Sequence, residues 1–410
     1  MSTLAERLRR TASPPAARGV TPAPRGTVPA PGGAQPAPRS GGGGIDPIRV
    51  LVVDDSVVIR KLVTEALREA AGIEVVGTAV NGRASLTKVD QLRPDVITMD
   101  IEMPEMNGIE AVRELRRTGH RQPIVMFSTL TERGASATLD ALAAGASDYV
   151  TKPSNTGSLH ESLRRVREEL LPKIHALVPR KGKASAPARP LPPRPALPGK
   201  PAAAGGAGAA SRTTAQRPVR AVILGSSTGG PEALVKVFSG LTEPLPVPIL
   251  LTQHMPPVFT KQLAMRLDKI GKTRVVEVQG GEVLEPGVCY LAQGDKHMVL
   301  TGGPAQTRIK LSDAPPVNFC RPSVDVMYDA AVETFGGDLL AVILTGMGAD
   351  GRDGAGRVLR AGGTVIAQDE ATSVVWGMPG AVATAGFAHE ILPLDRISGS
   401  IIQHVRRGRK

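Results

Sequence analysis

Two groups of residues in this chain have the types and spacing to do chemistry. The first sits in a turn. In AVILGSSTGGPEAL, Ala221 to Leu234, an apolar run gives way to two serines and three glycines, and a helical pattern opens at Pro231. Small residues let a strand-to-helix turn fold tightly, push a hydroxyl outward, and aim the first N–H groups of the helix at developing negative charge. Gly225-Ser226-Ser227-Thr228-Gly229 matches the G-x-S-x-G spacing of a nucleophile elbow. The same composition also serves a plain glycine-rich connection, so the turn alone leaves both readings open. A dinucleotide site is disfavoured because G-x-G-x-x-G is absent.

A serine nucleophile needs a base, and the base needs an orienting acid. His254 closes the next apolar run, VPILLTQHMPP, and Asp350 follows another, LLAVILTGMG. Strand ends of a parallel sheet lie along one edge, so Ser227, His254 and Asp350 can meet there. The N–H groups of Gly346, Met347, Gly348 and the turn at Thr228 are candidates for an oxyanion hole. Two other histidines compete. His389, in GFAHEI, would give the chain order Ser, Asp, His, and His297, in GDKHMVL, suits a structural or substrate-lining place. Spacing does not choose among them.

The second group is acidic. Asp54, Asp55 and Asp100 each end an apolar run. Three carboxylates brought together repel, and a hard cation that prefers oxygen, Mg²⁺ above all, would neutralise them. Lys152, after DYV, and Ser128, ending PIVMFS, come from further strand ends and can hold an anion at the same point. Carboxylate, cation, lysine and hydroxyl together suit phosphoryl transfer to the carboxylate. Each acid taken singly could equally cap a helix.

These residues need sheets to position them. From 47 to 170, short β-branched runs alternate with helical patterns, which predicts a parallel sheet covered on both faces. From 219 to 405 the alternation returns, with a strand-rich stretch near 274–312. Between them, 171–218 is Pro-, Ala- and Gly-rich and basic, the composition of a disordered linker. Residues 1–46 form a similar Pro-, Gly- and Arg-rich tail. The expected fold class is therefore α/β, two doubly wound parallel-sheet domains joined by a linker.

Composition excludes several classes. The net charge is +12. Six arginines face one glutamate in 1–44, nine Lys or Arg face no acid in 180–220, and Arg406, Arg407, Arg409 and Lys410 read as a flexible basic end. The remaining sequence is mildly acidic, so the excess is solvated charge of flexible segments rather than a nucleic-acid surface. Aromatics are 2% of residues, too few for base-stacking platforms. Cys289 and Cys320 imply no disulfide framework and suit a reduced, cytoplasmic protein. No apolar run reaches the ~20 residues of a membrane span, and the N-terminus lacks an apolar signal core.

VLVVDDS, TMDIEMPEMNG, VMFST and DYVTKP make residues 47–155 resemble a response-regulator receiver domain. The resemblance implies a flavodoxin-like strand order, phosphorylation on Asp100 by a histidine kinase, and Mg²⁺ held by Asp54, Asp55 and Asp100 with a carbonyl near Glu102. It implies Ser128 and Lys152 on the phosphoryl group and Tyr149 as an aromatic switch. SSTGGPEAL, LTQHMPPVF, RPSVDVMYDAA, LTGMGADGRDG and QDEATSVVWGMPGAV make 219–390 resemble the Rossmann-like catalytic domain of chemotaxis protein-glutamate methylesterases. That likeness implies Ser227 as nucleophile, His254 as base and Asp350 as the residue orienting it. Ser226 takes a structural place. The implied substrates are methyl-accepting chemoreceptors, demethylated and in some members deamidated, with no cofactor in this domain. It also implies that the unphosphorylated receiver covers the catalytic edge.

Overall fold

The protein is described by a computed structural model over residues 46–152, 158–179, 218–303 and 306–407. The expected tail and most of the expected linker lie outside the described residues.

The first domain is a five-stranded parallel sheet in the order β2-β1-β3-β4-β5. Its strands are β1 (Ile48–Val53), β2 (Ile73–Ala79), β3 (Val96–Asp100), β4 (Ile124–Ser128) and β5 (Asp148–Thr151). Its helices are α1 (Val57–Arg68), α2 (Gly82–Leu92), α3 (Gly108–Arg117), α4 (Glu132–Ala143) and α5 (Leu159–Leu177). β3, β4 and β5 are buried at every position, as continuous apolar runs between two helix layers must be. Each helix starts on a residue whose side-chain oxygen accepts a backbone N–H: Ser56, Asn81, Asn107, Thr131 and Ser158. At Asn107 the glutamate three residues on completes a capping box.

The second domain has a seven-stranded parallel sheet in the order β14-β13-β12-β6-β7-β9-β8, with a separate antiparallel pair, β10 and β11. Its elements run β6 (Ala221–Ser226), α6 (Gly230–Gly240), β7 (Ile249–Gln253), α7 (Pro257–Ile270), β8 (Arg274–Glu277), β9 (Val288–Leu291), β10 (His297–Thr301) and β11 (Arg308–Ser312). They continue with α8 (Val324–Phe335), β12 (Leu339–Ile343), α9 (Arg352–Ala361), β13 (Thr364–Gln368), α10 (Met378–Thr384), β14 (Glu390–Leu392) and α11 (Leu394–Arg407). β6 pairs with β7 on one side and with β12 on the other. The winding reverses there, and the carboxyl ends of β6 and β12 border the crevice this creates.

Two boundaries differ from the sequence expectation. Helix α5 runs to Leu177, beyond residue 170. Val166, Leu170 and Ile174 are buried at fourfold spacing, and that packing carries the helix through Pro172. Helix α11 takes in Arg406 and Arg407, because Ile397, Ile401 and Val405 form a buried stripe beneath them. Among the described residues, no helix is long and apolar enough to cross a membrane.

Both domains fall within one unit, Ile45–Lys410, and they touch. Leu139, Leu142 and Tyr149 of the first share a buried apolar cluster with Leu234, Phe259 and Leu263 of the second. The Tyr149 and Phe259 rings stack with centroids 4.6 Å apart. Exposed ion pairs Lys261–Glu132 (2.7 Å) and Arg266–Asp140 (2.9 Å) flank that cluster.

Candidate functional sites

At the carboxyl edge of the first sheet, Asp54 follows β1 and Asp100 ends its neighbour β3, so the switch between them brings both carboxylates together with Asp55. Lys152, just past β5, reaches Asp100 Oδ1 at 2.7 Å and Asp54 Oδ2 at 3.1 Å. Asp100 Oδ2 is buried with no hydrogen-bond partner. Burial pushes Asp100 up to about 6, the Asp54 charge adds to this, and Lys152 opposes it. A buried carboxylate oxygen without a donor, beside two more carboxylates, fits a hard divalent cation. Ser128 lines the same cavity of about 230 Å³, but its hydroxyl points to the Gly134 carbonyl and accepts from Thr138.

At the corresponding edge of the second sheet, the turn after β6 separates two adjacent serines. Ser226 is fully buried and donates to Gln253 Oε1 at 2.7 Å. Ser227 is half-buried, and its backbone is fixed on three sides. Its N–H donates to Thr345, and its carbonyl accepts from Gly230 and from Gln253 Nε2. Gly229, at φ +75°, makes the corner into α6. Gly346 lies so close that a Cβ there would stand 2.9 Å from Ser227 Cβ.

His254 follows β7, and Asp350 follows β12. They meet at 2.9 Å between Nε2 and Oδ2. Asp350 is 2% exposed yet richly supplied with donors. Ser323 Oγ (2.8 Å), Val324 N–H (2.6 Å), Asp325 N–H (3.3 Å) and Asn318 Nδ2 (3.0 Å) all reach it. Burial alone would raise its pKa, but His254 and these donors bring it down to about 2. Burial disfavours the charged form of His254, yet Asp350 and the Cys320 sulfur outweigh that and push it up to about 10. His254 Nδ1 lies 3.5 Å from Cys320 Sγ. Ser227 and His254 line one cavity, but no hydrogen bond joins them here.

That cavity is a junction between the domains. Ser227, Gln253 and His254 form one wall, and Asp148, Tyr149 and Lys173 of the first domain form the other. Its volume is about 20 Å³, room for roughly one water. Thr228 Oγ1 donates to Asp148 Oδ2 at 2.7 Å, and Lys173 holds the other oxygen of Asp148 at 2.9 Å.

A response regulator receiver domain model matches residues 50–164, and a CheB methylesterase model matches residues 222–401. A protein from Nocardioides sp. named protein-glutamate methylesterase/protein-glutamine glutaminase is 54% identical over 88% of this chain and 96% of its own. A protein from Caulobacter vibrioides with that name and the suffix 2 is 46% identical over 88% of this chain and 99% of its own. The chain belongs to the protein-glutamate methylesterase/protein-glutamine glutaminase family. Among solved structures, the Thermotoga maritima CheB methylesterase catalytic domain is 44% identical, covering 45% of this chain and 97% of that one, with a TM-score of 0.44. The response regulator domain of Thermotoga maritima CheB is 45% identical, covering 32% and 94%, with a TM-score of 0.29.

Within this receiver-methylesterase architecture, the rival histidines lie elsewhere. His389 accepts from the Val365 N–H at the amino end of β13, the sheet edge away from Ser227. His297 is buried, with Nε2 at the Pro315 carbonyl and Nδ1 accepting from Ser323. Gly346 leaves the set of oxyanion donors, because its N–H is spent on the Val375 carbonyl at 3.0 Å. Met347, Gly348 and the Thr228 backbone stay in it. Sequence reasoning missed Asn318, Cys320, Ser323 and Asp325, which surround the His254–Asp350 pair. RPSVDVMYDAA held the signal: a serine N-cap followed by an acid in the first turn of α8.

Proposed function

We propose that the protein is a phosphorylation-activated hydrolase that demethylates glutamyl methyl esters of methyl-accepting chemoreceptors and deamidates receptor glutamines. The observation that carries this reading is the 2.9 Å His254–Asp350 bond at a cavity lined by Ser227, where the sheet's winding reverses. Ser227 Oγ attacks the ester carbonyl, and His254 takes its proton through Nδ1, which gives up its 3.5 Å contact with Cys320 Sγ to do so. The Met347, Gly348 and Thr228 N–H groups face the charge that develops on the carbonyl oxygen. The C–O bond breaks, and methoxide takes the proton back to leave as methanol. Water, deprotonated by His254, then releases the glutamate carboxylate from Ser227. With a glutamine the leaving group is ammonia.

The covered arrangement opposes this chemistry. The receiver leaves room for about one water beside Ser227. Activation begins when a histidine kinase donates its phosphoryl group to Asp100. Mg²⁺ held by Asp54, Asp55 and Asp100 would supply charge neutralisation for that transfer. Lys152 and a re-aimed Ser128 hydroxyl hold the transferred group. Tyr149, on the same strand as the Lys152 loop, then leaves Phe259, and the cavity opens to substrate.

The test is methanol release from methylated receptor by the full chain and by Ser227→Ala, each with and without a small phosphodonor and Mg²⁺. Release that needs Ser227 and rises with phosphodonor supports the reading. Release indifferent to phosphodonor would leave the esterase and remove the regulation.

A further inference from the structure

One residue beside the His254–Asp350 pair is unfavourable twice over. Val317 and Cys320 close a two-residue hairpin through paired backbone bonds of 3.1 and 2.9 Å. Its central residues, Asn318 and Phe319, both lie in the left-handed region, at φ +52° and +63°. Asn-Gly is the favoured pair in that geometry, and a bulky residue in the second position is strained. Phe319 is also fully in water, at 103% relative exposure, the one exposed phenylalanine of the chain's six. Strained backbone that persists points to a task outside the fold.

The turn is braced to the site from both sides. Asn318 Nδ2 donates to Asp350 Oδ1 at 3.0 Å and to Asp325 Oδ2 at 2.9 Å. Cys320 Sγ meets His254 Nδ1. The hairpin is thus fixed to the two groups proposed to do the chemistry, while the ring between its braces stays bare even with the receiver docked. A solitary exposed side chain is ordinary on a protein surface. A strained, aromatic one whose two neighbours hold Asp350 and His254 is not.

We propose that Phe319 is a substrate-reading residue: its ring packs on an apolar side chain of the receptor segment that flanks the glutamyl group. This deepens the functional reading above and rests on it. The ring adds affinity for the protein substrate and takes no part in the reacting atoms, so a small ester does not feel it.

The experiment uses the full chain with phosphodonor and Mg²⁺, as wild type, Phe319→Gly and Phe319→Leu. Each is assayed on methylated receptor and on N-acetyl-glutamate γ-methyl ester. Phe319→Gly is expected to raise KM for receptor roughly tenfold with kcat within about twofold, and to leave the small ester unchanged. Its unfolding midpoint should hold or rise, because glycine relieves the turn. Phe319→Leu should recover part of the lost affinity. An unchanged receptor KM, or equal losses on both substrates, overturns the proposal. So does a wild-type dimer that Phe319→Gly dissociates, which would make the ring a contact between copies. If the wild type releases no methanol from receptor at all, the functional reading itself falls first and takes the proposal with it.

Discussion

Asp100 and Asp350 are two carboxylates at matching places in two parallel sheets, and they are equally buried, at 3% and 2% exposure. They differ in what surrounds them. Asp350 receives five donors, the His254 ring among them. Asp100 receives Lys152 and one long backbone contact, and one oxygen has nothing. The first is brought down to about 2 and the second pushed up to about 6. Burial therefore does not decide the character of a buried acid; the count of donors does. A saturated carboxylate is a fixed charge that orients a neighbour. A starved one keeps a lone pair that suits a hard cation.

The largest expected effect tests the catalytic half. Ser227→Ala should lower methanol release about a thousandfold or more. A loss of only a few-fold would mean that another group attacks. Asp350→Asn should cost about a hundredfold or more in kcat, because the imidazole loses its orienting charge. On the receiver side, Asp100→Asn should abolish stimulation by phosphodonor and leave basal release within about twofold.

The same pair of variants should move stability in opposite directions. Asp350→Asn is expected to destabilise by about 2 kcal/mol at neutral pH, since buried donors lose a charged acceptor. The folded-state pKa of Asp350 is depressed, so its contribution is present above the ordinary value near 3.8 and disappears as pH falls through about 2. The gap between variant and wild type in urea unfolding should close over that window. Asp100→Asn, measured in EDTA, should raise the midpoint, because it removes a charge that burial disfavours and that Asp54 repels. A fall there would show that the Lys152 pair outweighs the repulsion. Smaller still, Tyr149→Leu should raise basal release by about two- to tenfold through loss of the stack on Phe259. Glu132→Lys, which breaks an exposed pair with Lys261, should raise it by no more than about twofold.

The strand-end residues were legible because a parallel sheet gathers strand ends on one edge, whatever the order of strands. Ser227, His254 and Asp350 each follow an unmistakable apolar run, and so do Asp54, Asp100 and Lys152. The order itself was not needed to list them, and His389 fails without it too: it precedes β14 and so sits at the other edge. The braces were illegible for the complementary reason. Asn318, Cys320 and Ser323 come from an aperiodic stretch between β11 and α8, and no pattern announces where such a segment lies. The spent N–H of Gly346 depends on a bridge to the strand-like segment at Val375 and Trp376, distant in sequence. Helices α5 and α11 outran their expected ends because buried stripes continue beneath Pro172 and beneath the terminal arginines. Charge and proline were read there as flexibility, and packing overruled them.

The apolar cluster that joins Leu142 and Tyr149 to Phe259 has a thermal consequence. Apolar contacts weaken on cooling, because near room temperature their driving force is entropic. The lid over Ser227 is held partly by such contacts, so its grip should loosen in the cold and tighten with warmth. Corrected for the intrinsic rate, the share of hydrolysis that needs no phosphodonor should then grow as temperature falls. A protein built this way reports its signal against a background set by the temperature of its surroundings.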